Sequence, residues 1–278
     1  MSNKRSPDPS FWSKPGIGIG PRNAPVASPA RGITTSNSNT RILAPATVRP
    51  AAVPPSVSVQ GMPGNLGLNS DRMRAAMVQR LRQQGIADER VLNAMMAVPR
   101  HHFVDEALAS RAYEDAALPI GFGQTISQPW VVAHMISAVL RDRKPQRVLE
   151  VGAGCGYQAA VLAQLIREVY AIERVRGLYD GTRDRLRRLR LHRVKLSFGD
   201  GMAGVPGAAP FDAIVVAAAG IEIPRALLEQ LAVGGRLIAP EGTVQQRLVL
   251  IERTDVSTWK RTELEAVRFV PLRAGIQS

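Results

Sequence analysis

The sequence predicts an α/β protein, and three observations carry that expectation. Short apolar runs recur from Arg147 to Leu272, and the earlier ones alternate with segments of helical spacing. Several runs, such as "DAIVVAAA" at 212–219, are apolar almost throughout. Continuous apolarity suits strands covered on both faces, as in a mostly parallel sheet.

Taken in order, residues 1–70 hold 11 of the 20 prolines, seven Lys/Arg and a single acid, Asp8. No apolar periodicity is sustained there. Such a segment buries too little apolar surface to offset the entropy of ordering it, so 1–69 reads as a disordered extension and 70–278 as one domain. The Arg/Ser bias equally suits a targeting peptide or a nucleic-acid-binding arm, and Met62 and Met73 leave room for a later translation start.

"SDRMRAAMVQRLRQQG" predicts a helix capped by Ser70 or Asp71, with Met73, Met77 and Leu81 on one face and a stop at Gly85. "ADERVLNAMMAVP" predicts a second, capped by Asp88 and closed before Pro99. Strands are expected at 147–153, 168–174, 194–200, 212–219, 235–242, 247–253 and 267–272, and helices at 157–166, 175–190 and 224–231. The expected fold is thus a Rossmann-like, doubly wound, mostly parallel seven-stranded sheet with helices on both faces. No helical pattern separates the last two strands, which predicts antiparallel neighbours at one edge.

Composition narrows the setting. The formal net charge is +13, and the basic excess is concentrated in the extension. Cys155 is the only cysteine, which excludes an internal disulfide and suits a reducing, cytoplasmic compartment. No apolar run approaches the roughly 20 residues of a membrane span. The arginines of 175–190 read as a solvated helix face rather than a nucleic-acid stripe. His101 and His102 are adjacent, but no Cys/His spacing indicates a metal site.

"VLEVGAGCGYQAAVLAQL" carries the chemistry. Gly152, Gly154 and Gly156 occupy a strand-to-helix turn, where absent Cβ atoms let backbone approach a ligand. Glu173 ends the next strand, where an acid accepts from ribose hydroxyls. The spacing is not the dinucleotide G-x-G-x-x-G, because Tyr157 stands at the third glycine's position. Asp200, in "FGDG", lies past the third strand and is placed to accept from the adenine amine. Small Cys155 reads as a spacer within the loop.

The run E-x-G-x-G-x-G resembles the first motif of S-adenosylmethionine (AdoMet) methyltransferases. With "AMMAVPRHHFV", "GFGQTISQPW", "PFDAIVVAAAG", "GGRLIAPEG" and "VRFVPL", residues 71–273 resemble the protein-L-isoaspartate O-methyltransferases in order. The resemblance implies AdoMet as cofactor and isoaspartyl-containing proteins and peptides as substrates; a monomer is expected. It implies methylation of the α-carboxylate and collapse to a succinimide. It also makes Ser127 and Thr125 the catalytic positions, with Gln124 and Ile126 contacting substrate.

The chemistry suits a charge-poor segment. A carboxylate is already ionised at neutral pH and needs no general base. Attack on a sulfonium methyl destroys charge, so a dry, uncharged pocket favours it. Ser127 is therefore expected to position substrate, with a helix N-cap before "WVVAHMISAVL" as its other reading. A nucleic-acid amine methyltransferase is disfavoured, because "AAAGIEIP" stands where an Asp/Asn-Pro-Pro-aromatic tetrad would be. A fold-only binding protein would not need Glu173, Asp200 and Thr125–Ser127 together.

Overall fold

The structure is a computed structural model describing residues 66–278, and only the backbone of 66–69. Of the disordered extension expected at 1–69, residues 1–65 lie outside the described residues, and 66–69 are helical instead, forming the first turn of a helix. Among the described residues no helix is long and apolar enough to cross a membrane.

Helix α1 (Leu66–Gln83) buries Met77, Val78 and Leu81, and the chain turns at Gly85 in the left-handed region. Ser70 and Asp71, expected as caps, instead lie within this helix, which begins upstream of both. Helix α2 (Glu89–Ala97) is capped as expected: the Asp88 carboxylate accepts from Arg90 N–H.

A hairpin follows, β1 (Leu118–Gly121) and β2 (Gln124–Ile126), joined by Phe122–Gly123, both at positive φ. Nothing in the sequence pattern predicts it. Helix α3 (Pro129–Leu140) begins beyond, and the N-cap reading of Ser127 fails here. The cap position is Gln128, which makes no side-chain cap bond, and the Trp130 N–H donates to the Asp115 carboxylate at 3.1 Å. Pro129 at the first helical position has no N–H to satisfy.

The main sheet contains β3 (Arg147–Val151), β4 (Glu168–Glu173), β5 (Val194–Phe198), β6 (Phe211–Val216), β7 (Leu231–Glu241), β8 (Gln246–Asp255) and β9 (Thr258–Val267). Their order is β5-β4-β3-β6-β7-β8-β9. The first five are parallel; β8 runs antiparallel to β7 and β9 to β8. The seven-stranded, mostly parallel expectation holds.

One strand is misplaced. The edge partner of β8 is Thr258–Val267, not 267–272. "TWKRTELEAV" is mostly exposed and holds four charged residues, so it carries no apolar run. Charge on an edge strand also blocks pairing with other chains. Residues 269–272 are apolar for another reason: they cross the carboxyl end of the sheet, with Ala219 N–H donating to Val270 O at 2.8 Å and Leu272 N–H to Ala219 O at 2.7 Å.

Two apolar layers flank the sheet. One packs Val148, Val169, Ala213 and Val215 against α3 and α4 (Tyr157–Leu165), with α1 and α2 outside them. The other places Leu149, Ile172, Ile214 and Leu237 under α6 (Arg225–Glu229) and the turn at 205–209. Helix α5 (Arg176–Arg188) covers β4 and β5. Strand order reverses about β3, with β4 on one side and β6 on the other, which opens a crevice above its carboxyl end.

Candidate active site

A cleft of about 360 Å³ lies in that crevice, within the usual range for a small-molecule site. The glycine loop forms its floor. Gly152, at φ 85, sits where β3 stops, and both Gly152 and Ala153 N–H donate to Ile172 O. Gly154 and Glu173 face each other across the loop. One carboxylate oxygen of Glu173 accepts from Gly154 N–H and the other from Val175 N–H, each at 2.8 Å. Glu173 is therefore fixed in position before any ligand arrives.

Of the expected residues, Gln124, Thr125, Ile126, Ser127, Gly152, Gly154 and Glu173 line this cleft together. Gly156 and Asp200 do not. Gly156 begins α4 at φ 85, and a Cβ there would stand 2.8 Å from Thr182 Cγ2, so close packing of α5 requires the glycine. Asp200 is half-buried beside cleft-lining Gly201. Its carboxylate accepts from Met202 N–H at 2.8 Å and from Gly275 N–H at 2.7 Å. The chain end thereby straps one side of the cleft, with Gln277 pairing across Val175.

Phe122 is seated over this cleft from the hairpin tip. A Cβ built on Gly177 of α5 would overlap its ring. Cys155 is buried, and burial pushes its thiol above the usual range.

Two residues matter that sequence reasoning did not single out. Arg100 is completely buried, although an arginine is seldom so. Its guanidinium donates to Ala112 O at 2.8 Å and to Ser127 O at 2.7 Å, and lies 4.7 Å from the Tyr157 ring centroid. It thus ties the Ser127 segment to the first turn of α4. The Ser127 and Thr125 hydroxyls make no hydrogen bond with the described residues and remain available to a ligand.

The other is Glu150, 1% exposed, which lines the cleft and whose buried Oε2 has no hydrogen-bond partner. Burial, and then the Glu173 carboxylate, push its acid well above the ordinary range. The buried Gln158 Nε2 is also without a partner. Only the leading Glu of E-x-G-x-G-x-G could have drawn attention to this position.

A second cavity, about 350 Å³, adjoins the first. Thr125, Ser127, Ala217 and Val270 line both.

Residues 72–277 match the family model described as protein-L-isoaspartate(D-aspartate) O-methyltransferase. The chain belongs to this family. A protein-L-isoaspartate O-methyltransferase of Bordetella petrii is 74% identical over 250 residues, covering 90% of this chain and 91% of that one. One from Burkholderia mallei is 57% identical over 224 residues, covering 80% and 69%. A solved protein-L-isoaspartate O-methyltransferase superposes with TM-score 0.67 at 29% identity, covering 73% of this chain and 67% of that one. A second, from Plasmodium falciparum and in complex with S-adenosyl-L-homocysteine (AdoHcy), gives 0.65 at 27%, covering 72% and 98%.

The methyltransferase therefore moves a methyl group from AdoMet to the free α-carboxylate of isoaspartyl residues in damaged proteins. The ester then closes to a succinimide, which begins the repair. The geometry suits that chemistry: a cofactor-sized cleft and a neighbouring cavity meet at two unengaged hydroxyls.

Proposed function

We propose that the glycine-loop cleft seats AdoMet, that the adjoining cavity seats the isoaspartyl residue, and that Thr125 and Ser127 align the two. One observation carries this reading: the cavities share Thr125 and Ser127 as common wall, and no ionisable side chain is part of that shared wall. Glu173 accepts from the ribose hydroxyls with the lone pairs its two backbone donors leave open. Gly152 and Gly154 admit the methionine chain closely. Asp200, outside the cleft wall, contributes by anchoring the Gly201 turn and the Gly275 backbone beside it, and Gly156 by letting α5 pack. Gln124 and Ile126 flank the substrate.

AdoMet supplies an activated methyl on a sulfonium. The chain's task is placement: the Ser127 hydroxyl, its backbone carbonyl held by buried Arg100, donates to the carboxylate and holds its oxygen towards the methyl carbon. The C–S bond breaks as the C–O bond forms, and its electron pair stays on sulfur. Neither a proton acceptor nor a metal is required. Among the described residues no group of three or more His, Cys, Asp or Glu side chains is gathered to hold one.

Paired peptides test this. The isoaspartyl form should accept labelled methyl, while its aspartyl twin and RNA should not. Equal labelling of both peptides would sink it.

Glu150 has a role here as acceptor for the cofactor's ammonium, and a pH signature. Its folded-state acid holds a proton above the ordinary value of 4.5, where the unfolded chain has lost one. The cofactor-free protein is therefore destabilised as pH rises beyond that value. Glu150→Gln should raise the Tm of the cofactor-free enzyme near neutrality, with the gain vanishing towards pH 4, and should weaken AdoHcy binding. Thermal unfolding from pH 4 to 8 checks the first and calorimetric titration the second. A Tm gap independent of pH would exclude a protonated Glu150.

A further inference from the structure

The second cavity holds one charged residue, Arg268, and its position addresses which isoaspartyl sites are preferred. Its other walls are neutral: Trp130, Val131, Val267 and Phe269 are apolar, while Gln128 and the two hydroxyls are polar. Arg268 is exposed and makes no hydrogen bond or ion pair with the described residues. Other arginines nearby are engaged: Arg261 with Glu241, Arg247 with Glu263.

Its backbone is nevertheless fixed. Gln246 holds the next residue from both sides, accepting from Phe269 N–H at 2.6 Å and donating to Phe269 O at 3.2 Å. Val270 is pinned by Ala219. An exposed cationic residue on an anchored backbone thus lines the cavity assigned to an anionic substrate.

Arg268 is not placed for the reacting carboxylate. It lines the second cavity alone, whereas Val270, two residues on, reaches the junction with the cofactor cleft. At about 3.3 Å per extended residue its base lies ~7 Å from that junction. Pairing the nucleophile with a guanidinium would also quench the charge it must bring to the methyl. A spacing of ~7 Å corresponds to one or two residues of an extended peptide.

Resting on the assignment of this cavity to substrate, we propose that Arg268 is a specificity-determining residue that selects isoaspartyl sites carrying a second carboxylate one or two residues away. The carboxylate is that of a flanking Asp or Glu side chain. Arg268 acts on substrate affinity, because it lines the second cavity and is no part of the cofactor cleft.

The test uses the full chain and four peptides sharing one isoaspartyl residue. Three are C-terminally amidated, with Gln, Glu or Lys in the two flanking positions; the fourth has Gln flanks and a free C-terminal carboxylate. The Glu peptide should exceed the Gln peptide in kcat/KM by about 3- to 5-fold, through KM, as expected of an exposed pair, and the Lys peptide should be poorest. Arg268→Gln should erase the order and Arg268→Glu should reverse it. Both variants should keep wild-type kcat on the Gln peptide and wild-type AdoHcy affinity. Equal rates with Glu, Gln and Lys flanks in the wild type, or an unchanged order in both variants, overturn the proposal. A gain confined to the free-acid peptide overturns the side-chain assignment in favour of a chain terminus. Failure of the wild type on every isoaspartyl peptide would instead refute the substrate cavity itself.

Discussion

Replacing Glu173 by alanine is expected to raise the dissociation constant for AdoHcy about 100-fold or more. Hydrogen bonds to a charged acceptor contribute roughly 1.5–3 kcal/mol each, and ~1.4 kcal/mol is a factor of ten. Two ribose hydroxyls therefore account for the fall. A second loss adds to it: Gly154 and Val175 N–H lose the acceptor that fixes the loop. Glu173→Gln keeps one acceptor atom and should fall between the two. Calorimetric titration of the three proteins with AdoHcy measures this directly. An alanine variant binding within about threefold of wild type would remove Glu173 from the ribose site.

Ser127→Ala separates placement from binding. Turnover on an isoaspartyl peptide should drop about 10- to 100-fold, the range for losing one hydrogen bond to a charged group that also orients the reactant. AdoHcy affinity should stay near normal, because the Ser127 contact to Arg100 is made by the backbone carbonyl and survives the substitution. The hydroxyl caps no helix, so stability should change little. Steady-state kinetics with a parallel AdoHcy titration distinguishes the outcomes. Undiminished kcat would leave Ser127 without a positioning role, and lost AdoHcy affinity would assign it to the cofactor.

These expectations differ in how much the sequence disclosed. The Gly152–Glu173 pairing was legible because its chemistry is local: a strand end, glycines that admit close backbone, and an acid one crossover later. Thr125–Ser127 stood out because an uncharged, hydrogen-bonding stretch interrupts a charged chain. Arg100 gave no such sign, since basic residues abound and only packing shows that this one is buried beneath the Thr125–Ser127 segment. Arg268 was hidden within "VRFVPL", whose apolarity read as a strand. That run is apolar because it roofs the cleft, whereas the true edge strand, Thr258–Val267, is charged because one side of it faces solvent.

By itself the sequence determined the alternation of strands and helices, the glycine loop with its acid, and the hydroxyl segment, because each follows from short-range backbone requirements and apolar periodicity. Tertiary structure alone decided that Arg100 holds Ser127, that Glu150 is buried with its Oε2 unpartnered, that the chain end straps Asp200, and that two cavities meet at Thr125 and Ser127. Those contacts join residues about 25 to 150 positions apart. They are set by how layers pack, which no local pattern of side chains encodes.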